Sequence, residues 1–155
     1  MKIGLVAFLF IALASCSTKD KPDKDNSTEE KLALLNADKA FSAMSEEKGM
    51  KTAFIEFIDS NGVLLRPNMM PIIGAGAIDY LISLNDSSYT LKWQPQHAEV
   101  AKSADLGYTY GLYALHPKSV DTVIYGTYVS IWKKQDGGGW KFVLDTGNEG
   151  VGDAD

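Results

Sequence analysis

The sequence predicts an α+β domain in which an N-terminal helical half packs on an antiparallel sheet built by the C-terminal half. Three observations carry that expectation. From Asp105 to Asn148, three runs rich in Tyr, Val, Ile, Thr and Trp are separated by turn-formers at 116–121 (HPKSVD) and 135–139 (QDGGG). Such side chains suit a pleated, half-buried surface, so the runs read as successive antiparallel strands. Upstream, Leu34, Ala37, Phe41 and Met44 recur at spacings of three and four, the mark of one apolar helical face. At 155 residues the chain has room for one core, which the two halves must share.

The chain starts with an address rather than with structure. Lys2 precedes an apolar run from Ile3 to Ala14, twelve residues where a membrane-spanning helix needs roughly 20. A basic start, a short apolar stretch and small residues after it describe a secretory signal over 1–15. Leu13-Ala14-Ser15-Cys16 resembles a bacterial lipobox, in which the cysteine is lipidated and becomes the first residue of the mature protein. Cys16 is the only cysteine, so no disulfide forms within the chain. Several acyl chains on one residue anchor stably, whereas a single chain binds only marginally. The lipidated Cys16 and the polar segment to Ser27 form an anchor and flexible tether over 16–27. Ser17 fits outer-membrane sorting by resemblance, and Lys19-Asp20 reads as linker chemistry more than as a surface-export signal. The expected location is the bacterial cell envelope, at the outer membrane, facing the periplasm or the cell surface. Without Lys2 the chain carries 14 Lys+Arg against 20 Asp+Glu, a net charge of −6. That argues against nucleic acid and against polybasic membrane contact.

The domain occupies 28–149. Ser27-Thr28-Glu29-Glu30 offers a capping box for the first helix, and Gly49 a stop. Ala53 to Ile58 predicts a second helix with Phe54, Phe57 and Ile58 inward. Asp59-Ser60-Asn61-Gly62 reads as a turn, and Val63-Leu64-Leu65 as a brief strand ended by Arg66-Pro67. After Gly74 a third amphipathic helix buries Ile78, Leu81, Ile82 and Leu84. A long strand follows from Tyr89 to Ala101, bent at Pro95, because proline inside a strand implies an edge or a bulge. There is no internal repeat. The tail over 150–155 has nothing to bury and is expected to fray.

This order of elements, with these residues, resembles the NTF2-like superfamily, also called cystatin-like or SnoaL-like, and within it the small bacterial proteins labelled DUF4440. The matching stretches are Ala37–Phe41, Gly49–Phe57, Leu65-Arg66-Pro67 with Gly74 and Ile78, Trp93-Gln94-Pro95, Asp105–Gly111 and Tyr128–Asn148, covering about Leu32 to Asn148. The resemblance implies a cone: a strongly bent antiparallel sheet wrapped around the N-terminal helices, often with a ligand or active site at its open end. It implies no particular chemistry, since this fold hosts enzymes, binding modules and dimerisation domains.

Ketosteroid isomerase, a member of that superfamily, uses an aspartate just before a proline as its base. Here Arg66 holds that place before Pro67, and an arginine side chain carries only donors. The second acidic group of that pattern, on the penultimate strand, falls near Val129. With both parts missing, the isomerase mechanism is not carried over. If Arg66 lines the pocket, it suits an anionic group, and either Asp38 or Asp145 could partner it.

Strand alternation divides the aromatics. Gly107, Thr109, Gly111 and Tyr113 share one face, opposite Tyr108 and Tyr110; Tyr128, Ser130 and Trp132 oppose Val129 and Ile131. Small residues on the first face let the helix approach or leave a cavity, so Tyr113 is expected to look inward. Tyr108, Tyr110, Tyr128 and Trp132 are expected on the outer face, often a dimer interface in this superfamily. The ligand-binding candidates are Arg66, Trp93, Thr109, Tyr113 and Asp145. An enzyme would draw on Asp38, His97, Tyr113 or Asp145 for isomerase, dehydratase or hydrolase chemistry. His97 and His116 make no metal site, and QDGGG is a hairpin turn rather than a phosphate cradle, which needs a following helix. The leading expectation is an anchored module that binds a small ligand or a protein partner without chemistry, needing no cofactor. A homodimeric interaction domain is the further alternative.

Overall fold

The computed structural model of the protein describes residues 24–151. The expected signal peptide, Cys16 and most of the expected tether lie outside the described residues. Among those described, there are three helices, α1 (Lys24–Lys48), α2 (Met50–Phe57) and α3 (Ala75–Ser83). Six strands complete them: β1 (Ile58–Leu64), β2 (Ile72–Ile73), β3 (Tyr89–Val100), β4 (Leu106–Pro117), β5 (Ile124–Lys134) and β6 (Trp140–Glu149). The helix-first, sheet-last order predicted from the sequence is present. α1 already includes Lys24, so Ser27 lies inside the helix instead of capping it. No glycine or proline from Asp23 to Lys48 interrupts it. Gly49, at φ 91°, ends it and starts α2.

The strands form one curled sheet in the order β2-β1-β6-β5-β4-β3. It is mixed rather than antiparallel throughout, because β1 runs parallel to β6. The residues read as a turn, Asp59 to Gly62, lie within β1, where the register against β6 shifts between Ile58 and Val63. Turn chemistry persists there: the Asn61 N–H donates to Asp59 Oδ1 at 2.9 Å. β2, which the sequence did not suggest, pairs with β1 through Ile73 and Ile72. On α3, Ala77 and Leu81 are buried, but Ile82 is 57% exposed, not buried as expected.

β3 is a sheet edge, and its register shifts between Pro95 and His97, so Pro95 sits where no ladder bond is lost. α1 covers this edge by supplying the missing partner. The Ser42 hydroxyl donates to the Trp93 carbonyl at 2.7 Å and accepts from the Trp93 N–H at 2.8 Å, and Ser45 donates to the Leu91 carbonyl at 2.7 Å. Two serines one turn apart therefore stand in for a neighbouring strand. Inside, Phe41 on α1 is the hub of the core. Its ring lies 4.7 Å from Phe54, 4.5 Å from Trp93 and 5.4 Å from Phe142, centroid to centroid.

Candidate functional site

Near the C-terminal end of α1, the sheet and α2 enclose a cavity of about 190 Å³. Its walls are mostly apolar. Met50 and Phe54 come from α2, Leu91 and Trp93 from β3, and Leu115 from β4. Trp93 and Tyr113 are cross-strand partners, so their side chains share the inner face. Tyr113 lies across two glycines: a Cβ on Gly126 would meet its hydroxyl oxygen at 2.4 Å, and one on Gly147 its ring at 3.5 Å. Burial, then the nearby Glu149, raises the Tyr113 phenol above its ordinary value, so the hydroxyl keeps its proton and remains a donor. Pro67 and Glu149, both exposed, mark the rim.

The polar end is an ion pair. Arg66, just past β1, donates from Nη2 to Asp145 Oδ1 at 2.9 Å and from Nη1 to the carbonyls of Leu65 and Asp145. Its guanidinium also lies 5.5 Å from the centre of the Phe54 ring. The other Asp145 oxygen accepts from the Ser130 hydroxyl at 2.8 Å. The parallel pairing of β1 with β6 places Leu64 opposite Asp145, which brings the residues after β1 to this carboxylate. Of the two aspartates that could partner Arg66, the structure therefore selects Asp145.

Asp38 lies fully buried on α1 beneath two of the cavity's side chains. Its Oδ1 accepts from Trp93 Nε1 at 2.7 Å and its Oδ2 from the Tyr128 hydroxyl at 2.7 Å. Burial pushes the Asp38 carboxyl above the usual carboxylate range, and those two hydrogen bonds act against the push. The Tyr128 phenol is held far above its ordinary value, first by burial and then by the Asp38 charge, so its proton stays on oxygen. Next to this group, Trp132 Nε1 donates to Thr109 Oγ1 at 2.8 Å.

The expected site residues separate accordingly. Arg66, Trp93, Tyr113 and Asp145 line one cavity. Thr109 faces inward as expected but is fully buried in the core and does not reach the cavity. Asp38 does not line the cavity either. His97 lies on the outer side of β3 with Nε2 3.4 Å from Glu99 Oε2 and its ring 5.7 Å from that of Tyr110, away from the cavity. Tyr108 and Tyr110 are exposed on the outer face, as expected. Tyr128 and Trp132 are not: they point inward and are buried, so they are corrected from interface candidates to interior residues. The reason lies in cross-strand complementarity. Gly111 is paired with Tyr128 and Gly107 with Trp132, so each aromatic turns inward beside a residue without a side chain, while Gln94 and Pro95 close over Gly111 and Leu34 and Glu99 over Gly107. That pairing of small with large is the signal that could have placed β5 from the sequence. Val129 faces outward with its partner Tyr110, away from the cavity. Among the described residues no group of three or more His, Cys, Asp or Glu could hold a metal ion.

No family model matches the chain, and no curated protein matches it by sequence. Solved structures do match. A ketosteroid isomerase-like protein from Erwinia carotovora atroseptica superposes with a TM-score of 0.60 at 16% identity, over 78% of this chain and 97% of that one. An NTF2-like protein with a cystatin-like fold from Novosphingobium aromaticivorans gives 0.64 at 12%, over 82% and 86%. An LEH-like epoxide hydrolase from M. tuberculosis gives 0.55 at 11%, over 78% and 85%. At such identities the likeness is one of fold, and the fold of this chain is NTF2-like.

Proposed function

We propose that this NTF2-like chain is a binding module for a small, largely apolar, uncharged molecule, held at the bacterial cell envelope by lipid on Cys16. The cavity carries the reading, because its walls are apolar and its one ion pair is internally neutralised. An engineered apolar cavity of about 150 Å³ accepts benzene. At about 190 Å³, a single ring with a small substituent fits within the walls. The charged lining groups are Arg66, Asp145 and Glu149, one positive against two negative. That balance favours an uncharged ligand over the anion that an isolated Arg66 would attract. Both Asp145 oxygens already accept hydrogen bonds, and Asp38 lies outside the cavity. Neither is posed as a free base, which supports binding without chemistry. The α1 helix, about 37 Å long from its 25 residues, would hold the cavity away from a membrane attached on its N-terminal side.

Native mass spectrometry of the gently purified protein tests this. A retained molecule of single-ring size supports it. A bare protein whose unfolding temperature is unmoved by substituted single-ring compounds counts against it. Turnover of such a compound, abolished by Asp145→Asn with the fold kept, would move the assignment to the isomerase, dehydratase or hydrolase alternative.

A second reading, compatible with the first, is homodimerisation through the outer sheet face. One row of outward side chains crosses all six strands: Ile73, Val63, Leu144, Ile131, Tyr108 and Glu99, each paired with the next. Five of the six are apolar or aromatic, with Ile73 and Tyr108 exposed. Beside Tyr108 lies a groove of about 420 Å³ that includes Leu106 and Val129. Sedimentation showing only monomer at high micromolar concentration would remove this reading.

A further inference from the structure

Asp38 touches two residues of the cavity wall through two different oxygens, and the chemistry of those two contacts is unequal. The indole N–H of Trp93 can only donate, so Asp38 Oδ1 must accept. The Tyr128 hydroxyl can donate or accept, and against a carboxylate oxygen at 2.7 Å it donates. Its single proton is then committed away from the cavity that Tyr128 lines, and its oxygen keeps lone pairs only. The same holds for Asp145, whose carboxylate offers acceptors. Donors come from elsewhere. Tyr113 makes no hydrogen bond through its hydroxyl among the described residues, and Arg66 uses only three of its five N–H groups on Leu65 and Asp145.

We propose that Asp38 is a positioning residue for ligand choice: it fixes Tyr128 as a hydrogen-bond acceptor, so the cavity selects a small ring that brings a hydroxyl or N–H donor. This rests on the ligand-binding reading above and names the ligand class for that cavity. A phenol-type hydroxyl satisfies both sides of the site. It donates to Tyr128 or Asp145 and accepts from Tyr113 or Arg66. A methyl ether of the same ring keeps only the acceptor, and a plain methyl keeps neither.

The substitution that separates this role from plain structure is Asp38→Asn, which preserves shape. The amide oxygen must face Trp93, because the indole cannot accept. The amide NH2 then takes the Oδ2 position and donates to the Tyr128 oxygen, which frees the Tyr128 proton to turn toward the cavity. The acceptor becomes a donor without a change in volume. The second variant, Tyr128→Phe, removes the group altogether.

Isothermal titration of the full chain with phenol, anisole and toluene reads the effect. Phenol is expected to bind the unsubstituted protein roughly tenfold more tightly than anisole or toluene, the size of one well-formed buried hydrogen bond. That preference should collapse in Tyr128→Phe and shift toward anisole in Asp38→Asn. Equal binding of phenol and anisole to the unsubstituted chain overturns the inference and leaves the binding reading standing. A phenol preference unchanged in Tyr128→Phe, or unchanged in a folded Asp38→Asn, overturns it as well. If no ring binds, the binding reading fails and the inference with it. Should Asp38→Asn not fold, the Tyr128→Phe arm decides.

Discussion

The Arg66–Asp145 pair supports a quantitative prediction about stability that is separate from ligand binding. The Asp145 side chain is 8% exposed and that of Arg66 is 21% exposed, so the pair is mostly but not wholly removed from water. Two unit charges about 4 Å apart attract by about 4 kcal/mol at an effective dielectric of 20. Breaking a buried pair by removing one partner costs about 3–5 kcal/mol, because the other charge is left without compensation. The remaining exposure of the guanidinium sets the expectation at the lower end, about 3 kcal/mol for Arg66→Met. That change also removes the donor to the Leu65 carbonyl, leaves the Asp145 carbonyl with the Leu65 N–H alone, and removes the cation over Phe54. Asp145→Asn should cost less, because the amide oxygen can still receive Arg66. The combined variant should lose about 2 kcal/mol less than the two single losses added together, since the charge stranded by the first change is removed by the second. Urea unfolding of the four proteins measures this, with a midpoint shift of about 2 M for Arg66→Met at a slope near 1.5 kcal/mol/M. A coupling below about 0.5 kcal/mol would show that the pair is a surface contact and would refute the reasoning.

Three further outcomes follow from the interior. The Asp38 carboxyl is raised in the folded state relative to its ordinary 3.8, so the folded protein holds that proton more tightly than the unfolded chain. Its contribution is therefore most favourable below that value and declines as pH rises through the folded one, opposite in sign to a salt-bridged carboxylate. Urea midpoints across the acidic range should show that decline in the native sequence and not in Asp38→Asn. Gly107→Ala puts a Cβ 2.7 Å from both the Glu99 carbonyl and Leu34 Cδ2; neither backbone nor packed helix yields cheaply, and the loss should be about 2 kcal/mol in the same assay. Ser42→Ala leaves the Trp93 N–H and carbonyl at the β3 edge without their partner, which should cost about 1–3 kcal/mol and speed hydrogen exchange at the Trp93 amide.

Much of this fold is legible because its signals are local. The stripe from Leu34 to Met44 declares α1, and Pro95 marks β3 as an edge before any partner strand is known. Between Asp59 and Ile73 only Val63 and Leu64 are legible as strand residues, and the rest is not, because what organises it is remote. β1 becomes a strand through its parallel contact with β6, some 80 residues later, and no nearby residue announces that neighbour. The turn-forming residues there were read for what they are. They bend the strand and shift its register instead of ending it. The site follows the same division. Arg66, Tyr113 and Asp145 could be named from a residue before proline, from the parity of a glycine-rich strand and from a strand end. The choice between Asp38 and Asp145 as the arginine's partner needed the β1–β6 register.

The misplaced face of β5 has a different cause, and it bears on the proposed dimer. Alternation assigns faces only when one face is polar. In β5 the buried set is Gly126, Tyr128, Ser130 and Trp132, while the outward set includes Tyr125, Val129 and Ile131. The buried set contains a serine and a tyrosine hydroxyl because Asp145 and Asp38 wait inside to receive them. The outward set, Tyr125, Thr127, Val129, Ile131 and Lys133, is mostly apolar or aromatic, although among the described residues nothing covers Tyr125, Tyr108 or Tyr110. A sheet facing water on one side has no use for valine, isoleucine and tyrosine there, and each adds to the risk of nonspecific association. The feature that hides the register from a sequence reading is thus the feature that motivates a partner. If a second copy covers the row from Ile73 to Tyr108, replacing Tyr108 and Tyr110 by lysine should yield a stable monomer with its cavity intact. If the face is bare in solution, the same double change should leave both sedimentation and stability where they were.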